Sequence, residues 1–403
     1  MTRNTKRGAA PAALATAALV LLLLGGGGEA RAGMGLLMGE PAGGSFGHPS
    51  GIPKVRYLSR PGYAAFRDPR GIAIDSHGNV WVSNAGSDSV TEILRKGGYR
   101  KKRTYGGPAT HFDHPHDLAI DRLDDVWVVS RHGVTALYAK DRYRDPDYYS
   151  QRRYPVRFRE RYAAVDPNAP WPVSLWITGS KREILHIYGT PGKMKRDLAQ
   201  VINHAFRTPR KTLAGAAVDD RENLVLANRG GSLIAFHMKP HHGKLGPFTT
   251  TDDLTPDGKH VPFKKSPVLV AVDPVDDIVT TSPDSHATST NYASSNYSGA
   301  TSFLNHPQDK PLTPRGIAID GKGRQYVTDH DNESLQVHPF YRQPPSGNTT
   351  PDKILRLRGF HPRRIAIDDR GNVWMTGDEG VMRVNPPEVA PVRTPLLGQP
   401  KAP

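Results

Sequence analysis

The stretch Pro69-Arg-Gly-Ile-Ala-Ile-Asp75, continued by Gly78-Asn-Val-Trp-Val-Ser83, comes back near the end of the chain as Pro362-Arg-Arg-Ile-Ala-Ile-Asp368 with Gly371-Asn-Val-Trp-Met-Thr376. Weaker copies between them keep one grammar: alternating small and branched residues ending in Asp, a tight turn, then a second β-rich run. The terminal aspartates fall at Asp75, Asp121, Asp166, Asp219, Asp273, Asp320 and Asp368. Their separations of about 45 to 54 residues bracket the period of a four-stranded propeller blade, one supersecondary unit stacked repeatedly. The sequence therefore predicts an all-β fold, a β-propeller of seven four-stranded blades, with six as the alternative should the third or fifth copy be degenerate.

A third β-rich run follows the pair in most copies, for example Ser89-Val-Thr-Glu-Ile93, Val134-Thr-Ala-Leu-Tyr138 and Val381-Met-Arg-Val384. Its alternation and β-branched content specify strand rather than helix. The fifth copy lacks a clear one: residues 285–303 are a Ser/Thr/Asn/Ala run whose composition predicts a mobile excursion before the strand resumes. An outermost strand is expected ahead of each following copy, at residues 100–105 and 156–159. Residues 54–58 hold that position ahead of the first copy. Pairing of this strand with the last blade would join the chain ends and remove the exposed sheet edge.

The shared residues have structural explanations. Each Asp stands at a strand end where its carboxylate can bond the backbone two residues on, and Gly78, Gly323 and Gly371 supply the positive φ of a short hairpin. The seven aspartates therefore read as turn residues rather than a carboxylate array. Trp81, Trp127, Trp176 and Trp374 share one position on the second strand and read as packing between blades.

Residues 1–32 have the form of a signal peptide: Arg3, Lys6 and Arg7, an apolar stretch too short for a membrane span, and Ala30-Arg-Ala32 as the cleavage site. The expected order is then a flexible segment over 33–53, one propeller domain over 54–386 and a Pro-rich tail over 387–403. A secreted or periplasmic, monomeric protein with no transmembrane helix after cleavage is implied. With no cysteine, it has no disulfide framework and depends on core burial. Removing residues 1–32 takes away four basic residues and one acid, lowering the formal charge from +15 to +12. Much of the excess lies in Arg100, Lys101, Lys102 and Arg103, and in Arg152, Arg153, Arg157 and Arg159 interleaved with Tyr154 and Phe158. Such a surface suits an anionic polymer or lipid head group; nucleic acid is the less fitting partner for an exported chain. A solvated face of snorkelling arginines is the alternative.

The copies differ immediately after Pro. Arg70, Arg315 and Arg363 follow Pro69, Pro314 and Pro362, while His116 follows Pro115. At one register they are expected to ring one mouth of the central channel and to suit a carboxylate, phosphate or sulfate ligand, or a protein partner. The competing reading has the arginines bonding carbonyls of neighbouring blades.

The motifs Pro-Arg-Gly-Ile-Ala-Ile-Asp with Gly-Asn-Val-Trp-Val, and Tyr326-Val-Thr-Asp-His-Asp-Asn-Glu-Ser-Leu-Gln-Val337, resemble the NHL-repeat propellers and the related streptogramin (virginiamycin B) lyases. The resemblance covers most of residues 54–386 and is specific for fold, not activity. It implies three chemistries to test. Peptide-amidating lyases hold zinc through histidines at the starts of innermost strands, where this chain offers His116 alone. Gluconolactonase-type propellers bind a divalent metal near the axis, with an Asn where these repeats carry Arg and Gly. Streptogramin lyases open a lactone by elimination with a His, acidic residues and Mg2+. On that pattern the catalytic candidates are His330 and Glu333, with Asp329 and Asp331 as further metal candidates. No complete catalytic set is visible, so no cofactor is assigned, and Mg2+ or Ca2+ belongs to the enzymatic alternative. The leading expectation is an exported binding or scaffold propeller for an anionic ligand or envelope polymer. The alternative is a metal-dependent lyase or hydrolase of a lactone or cyclic ester.

Overall fold

The computed structural model describes residues 55–58, 66–144, 146–150, 162–167, 172–178, 183–189, 204–207, 213–220, 223–229, 232–237, 251–253, 268–293, 300–303, 310–341 and 350–403. The signal segment, residues 33–53, the 156–159 run and Arg152, Arg153, Arg157 and Arg159 lie outside them.

Seven antiparallel four-stranded sheets make up the domain. The innermost strand begins at Pro69, Asp117, Tyr162, Leu213, Leu269, Pro314 and Pro362 in blades 1 to 7. Neighbouring innermost strands touch all the way round, the seventh against the first. Val55–Leu58 pairs antiparallel with Gly380–Val384 of blade 7 (Val55 with Arg383, Leu58 with Gly380), so the N-terminal strand completes the last blade. The outermost strand of blade 2 is Asp147–Ser150.

The alternation in Ile-Ala-Ile follows from packing. Ala73, Ala119, Ala164 and Ala366 stand directly opposite Trp81, Trp127, Trp176 and Trp374 on the second strand, and Ala318 stands opposite Tyr326. All five aromatics are fully buried. Trp81 packs with Leu118 and Val126 of blade 2, Trp127 with Val165 and Leu175 of blade 3, and Trp374 with Ile74 and Val80 of blade 1. The repeated aromatic thus fastens each blade to the next.

The repeated Asp does more than cap a turn. Asp75 Oδ1 accepts from the His77 and Asn79 amides at 3.0 and 2.8 Å, while Oδ2 accepts from Trp81 Nε1 at 3.0 Å. Asp121 and Asp368 take Trp127 and Trp374 in the same way, at 2.8 and 3.1 Å, and Asp320 takes the Tyr326 hydroxyl at 3.1 Å. One carboxylate therefore fixes the hairpin and orients the buried aromatic.

Two segments differ from the sequence reading. Within 285–303 the described residues hold the third and fourth strands of blade 5, Ala287–Asn291 and Ala300–Phe303. Thr288, Ser289, Thr290 and Asn291 are buried against a second strand that is itself Thr-rich. The misleading signal was composition; β-branched Thr on an alternating backbone forms strand as readily as Val does.

The C-terminal residues form a floor under the ring. Ala390 donates to Asp320 Oδ2 at 3.1 Å, Val392 donates to the Asp368 carbonyl at 3.1 Å, Gln399 bonds Asp276, and Lys401 pairs with Asp220 at 3.2 Å. Val389 and Val392 are buried in the core between blades 6 and 7. At Gly398 (φ +68°) a Cβ would lie 2.5 Å from Pro167, so the close approach requires glycine. All these contacts are with the Asp-turn ends of the inner strands. The segment crosses that end of the channel and leaves the other mouth as the entrance.

Candidate ligand-binding channel and its rim

A cavity of about 250 Å3 occupies the axis. Its wall is Ile72, Ile74, Ile120, Ile319 and Ile367 with the inner-strand alanines, and its floor is Val392, Pro395 and Leu396. Ionisable side chains enter this apolar shaft at one level. Where blades 1, 4 and 6 carry Gly71, Gly215 and Gly316, blade 2 carries Asp117 and blade 7 carries Arg364. The glycines are required locally: a Cβ on Gly71 would lie 2.8 Å from Asp117 Cα, and one on Gly316 2.3 Å from the Arg363 carbonyl.

Arg364 reaches across to blade 3, with its guanidinium carbon 4.6 Å from the centre of the Tyr162 ring. Its backbone amide bonds Thr376 Oγ1 at 3.2 Å. Its guanidinium has no hydrogen-bond acceptor or ion-pair partner among the described residues. Asp117 Oδ2 accepts the Ala163 amide at 3.1 Å. Burial raises the Asp117 pKa above the ordinary carboxylate value, opposed by the positive charge of Arg364. The shaft therefore presents, at its open end, a cation with free donors, an acid reluctant to ionise, and an aromatic face.

The predicted ring is brought to this same mouth, but two of its arginines are already engaged. Arg70 binds Asp68 through Nε and Nη2 at 3.0 and 2.8 Å, and Arg363 Nη1 binds the same carboxylate at 2.8 Å. Arg363 Nε also meets Asp378 at 2.5 Å. Burial works against ionisation of Asp68, yet the two guanidiniums hold its pKa below the usual value. The backbone carbonyls of Arg70 and Arg363 accept from Thr376 and Thr328 Oγ1 at 2.9 and 2.8 Å, stitching blades 7 to 1 and 6 to 7. Arg315 is exposed on the rim, and His116 sits at the start of blade 2 with its amide on the Val129 carbonyl at 2.9 Å.

Beside these ion pairs, blades 6 and 7 bring two histidines together, with ring centres 5.4 Å apart and the rings tilted by 49°. His361 Nδ1 meets Glu379 at 2.6 Å, and its Nε2 points at Glu333 across 3.6 Å. The Glu379 hydrogen bond raises the His361 pKa despite partial burial. His330 Nδ1 meets Asp331 at 2.5 Å, and Nε2 lies 3.3 Å from Asp378. The hydrogen bond from His330 lowers the Asp331 pKa. Glu333, held at φ +46°, receives the Gly359 amide at 2.7 Å. Asp329 differs from its neighbours: fully buried, it accepts from Thr313 N and Oγ1, Asn332 and Gln336 at 2.9 to 3.3 Å, which fixes the loop and leaves no oxygen turned to the rim.

Sequence reasoning missed Arg364, Asp117 and Tyr162 in the shaft, and His361 and Glu379 on the rim. A signal for the first two was present: in Pro-x-Gly, the Gly becomes Asp in the second copy and Arg in the last. Among the described basic-strand residues, Arg100, Lys101 and Arg103 are exposed, Arg103 lies 3.5 Å from Glu92, and Lys102 stands over the Phe66 ring at 5.1 Å.

These features define a seven-bladed β-propeller with one mouth closed by its own C-terminal segment and a polar rim round the other. No protein-family model matches the chain, and no curated protein matches it. Solved structures do. Virginiamycin B lyase from Staphylococcus aureus is similar with a TM-score of 0.58 at 14% identity, covering 78% of this chain and 93% of that one. A catalytically inactive form of that enzyme with quinupristin gives 0.59 at 14%, covering 82% and 97%. The extracellular domain of a one-component system from B. thetaiotaomicron gives 0.51 at 12%, covering 81% of this chain and 39% of that one. The chain thus has the streptogramin lyase-like propeller fold. Among the described residues no helix is long and apolar enough to cross a membrane.

Proposed function

We propose that this chain is an exported binding propeller that takes a small anionic ligand into its central channel, with Arg364 as the contact for the ligand's carboxylate, phosphate or sulfate. One observation carries the reading: a guanidinium with unfilled donors, stacked on Tyr162, at the open end of a shaft closed at the other. In an apolar surround such a group gains most from a bidentate oxyanion. The Ile and Ala walls would take an apolar portion of the ligand. Similarity to extracellular domains supports the exported setting. Arg70 and Arg363 would order the rim through Asp68 and Asp378 rather than bind the anion. The test is calorimetry against a panel of small carboxylates, phosphates and sulfates with wild type and Arg364→Gly, the residue that blades 1, 4 and 6 use there. Binding that survives the substitution refutes the assignment.

The rim favours a second reading, a lyase or hydrolase acting on a lactone or cyclic ester. His361 is oriented through Nδ1 by Glu379 and directs Nε2 toward Glu333, a His–carboxylate pair suited to general acid–base work. His330, Glu333 and Asp331 would complete the set, with Mg2+ or Ca2+ as the implied metal. Turnover of a lactone panel that is abolished by chelator and by His361→Gln would establish this reading. Protein that takes up no Mg2+ or Ca2+ when supplied with them, and turns over no lactone in their presence, would exclude it.

A further inference from the structure

The seam between blades 1 and 2 holds a second polar cluster on the entrance face, among residues that do not line the channel. Asp88 lies in the loop between the second and third strands of blade 1. Asp113 and His114 precede the inner strand of blade 2, and His132 sits at the next hairpin of that blade. Ligand atoms of Asp88, Asp113 and His114 all lie within 4.8 Å of one another. His114 Nδ1 is 2.9 Å from Asp113 Oδ1 and 3.8 Å from Asp88 Oδ1, and His132 Nδ1 meets the other Asp113 oxygen. Three donors thus lie together, with His132 on the far oxygen of Asp113, and Asp88, Asp113 and His132 line a cleft shared with Gly107, Pro108 and His111.

We propose that Asp88, Asp113, His114 and His132 form a site for a first-row divalent transition metal, Zn2+ foremost, that clamps blade 1 to blade 2. The spacing fits. Tetrahedral zinc with bonds of about 2.0–2.1 Å holds its donors about 3.3 Å apart, between the two separations measured round His114. The donor set fits as well: two imidazoles with carboxylates suit zinc, whereas Mg2+ and Ca2+ prefer oxygen alone. The loops are already set for it. The His114 amide is bonded to Asp88 Oδ1 at 2.7 Å, and Asp88, His111 and His114 all hold left-handed backbone at φ +46°, +51° and +46°. The metal would take the place of the hydrogen bonds that now link Asp113 to the two imidazoles.

The experiment is equilibrium dialysis of the full chain against Zn2+, with metal counted per chain, and the visible spectrum of the Co2+ form. One equivalent is expected, not displaced by excess Mg2+, with a tetrahedral Co2+ spectrum. His132→Gln and Asp113→Asn should each weaken binding at least tenfold and abolish that spectrum. His77→Gln, an exposed histidine on the opposite face, should leave both unchanged. Both imidazole variants are at exposed loop positions, and their circular dichroism should match wild type. Absence of stoichiometric uptake, or uptake that survives both Asp113→Asn and His132→Gln, overturns the proposal.

Discussion

Replacing Asp125 by Asn should stabilise the protein more at pH 8 than at pH 5, Asp125 itself being raised by burial to about 6. In blade 1, Asn79 donates its side-chain amide to Asp75 Oδ2 at 2.9 Å and accepts the Arg95 amide on Oδ1 at 2.9 Å. Blade 7 repeats the donation from Asn372 to Asp368 at 2.7 Å. Blades 2 and 5 have Asp125 and Asp277 in that place, each accepting a backbone amide, from Ala139 at 2.8 Å and Ala293 at 2.7 Å. Neither can donate to Asp121 or Asp273 unless it carries a proton. Burial, and then the charge of Asp125, push Asp121 from 3.8 up to about 7; Asp273 is raised to about 7 for the same reasons, with Asp277 as the neighbour. A raised carboxyl pKa means the folded chain holds a proton that the unfolded chain releases. Its stabilising effect is complete below about pH 4 and is lost as pH rises through about 7. At about 1.4 kcal/mol per pK unit, the whole shift of Asp121 corresponds to a cost on the order of 4 kcal/mol at high pH. Burial is the larger cause, so Asp125→Asn should recover a smaller part, on the order of 1–2 kcal/mol at pH 8. Asp277→Asn should add a similar amount independently, since the two turns are in separate blades. Denaturant midpoints at pH 5 and pH 8 measure it. An equal gain at both pH values, or none at pH 8, would refute the reasoning.

Ending the chain at Asn385 should destabilise it by several kcal/mol, at about 2 kcal/mol for each of the buried Val389 and Val392, and should let an apolar dye enter the channel; unchanged stability and dye uptake would mean that the floor does not close it. Blade 5, whose inward residues are largely Thr, Ser and Asn, should exchange amide hydrogens ahead of the others at Ala287–Asn291, as hydrogen-exchange mass spectrometry would show. The exposed outer strand of blade 1 should hold the protein on a heparin column until moderate salt, and replacing Arg100, Lys101 and Arg103 by Ser should advance elution. Arg363→Ala, by leaving Asp68 to Arg70 alone and Asp378 without its guanidinium, should alter the pH profile of any ligand binding at the mouth more than it alters affinity at one pH.

Much of the architecture was legible because it repeats. Asp75, Asp121, Asp320 and Asp368 mark hairpins, and the Trp or Tyr six residues on marks a blade interface. Both follow from local bonding that any copy of the motif makes by itself. Blade 5 was harder to read because hydroxyl residues fill its interior, and patterning by hydropathy does not register a strand made of threonine.

The amino-acid sequence alone determined a propeller of repeated four-stranded blades, seven against six, and the order of the copies, because period, turn chemistry and strand alternation act over a few neighbouring residues; pairing of Val55–Leu58 with the last blade settled the closure. Tertiary structure alone decided which charges are free. Arg70 and Arg363 look like anion ligands until Asp68 and Asp378 are found beside them, one of these carboxylates far away in the chain from Arg363. Arg364 looks like an ordinary repeat substitution until ring closure carries it across the axis onto Tyr162. Likewise, the Pro-rich end reads as a tail until its contacts with Asp320, Asp368 and Asp276 make it the channel floor. Pairing between distant charges depends on where closure of the ring places them, and no local pattern records that.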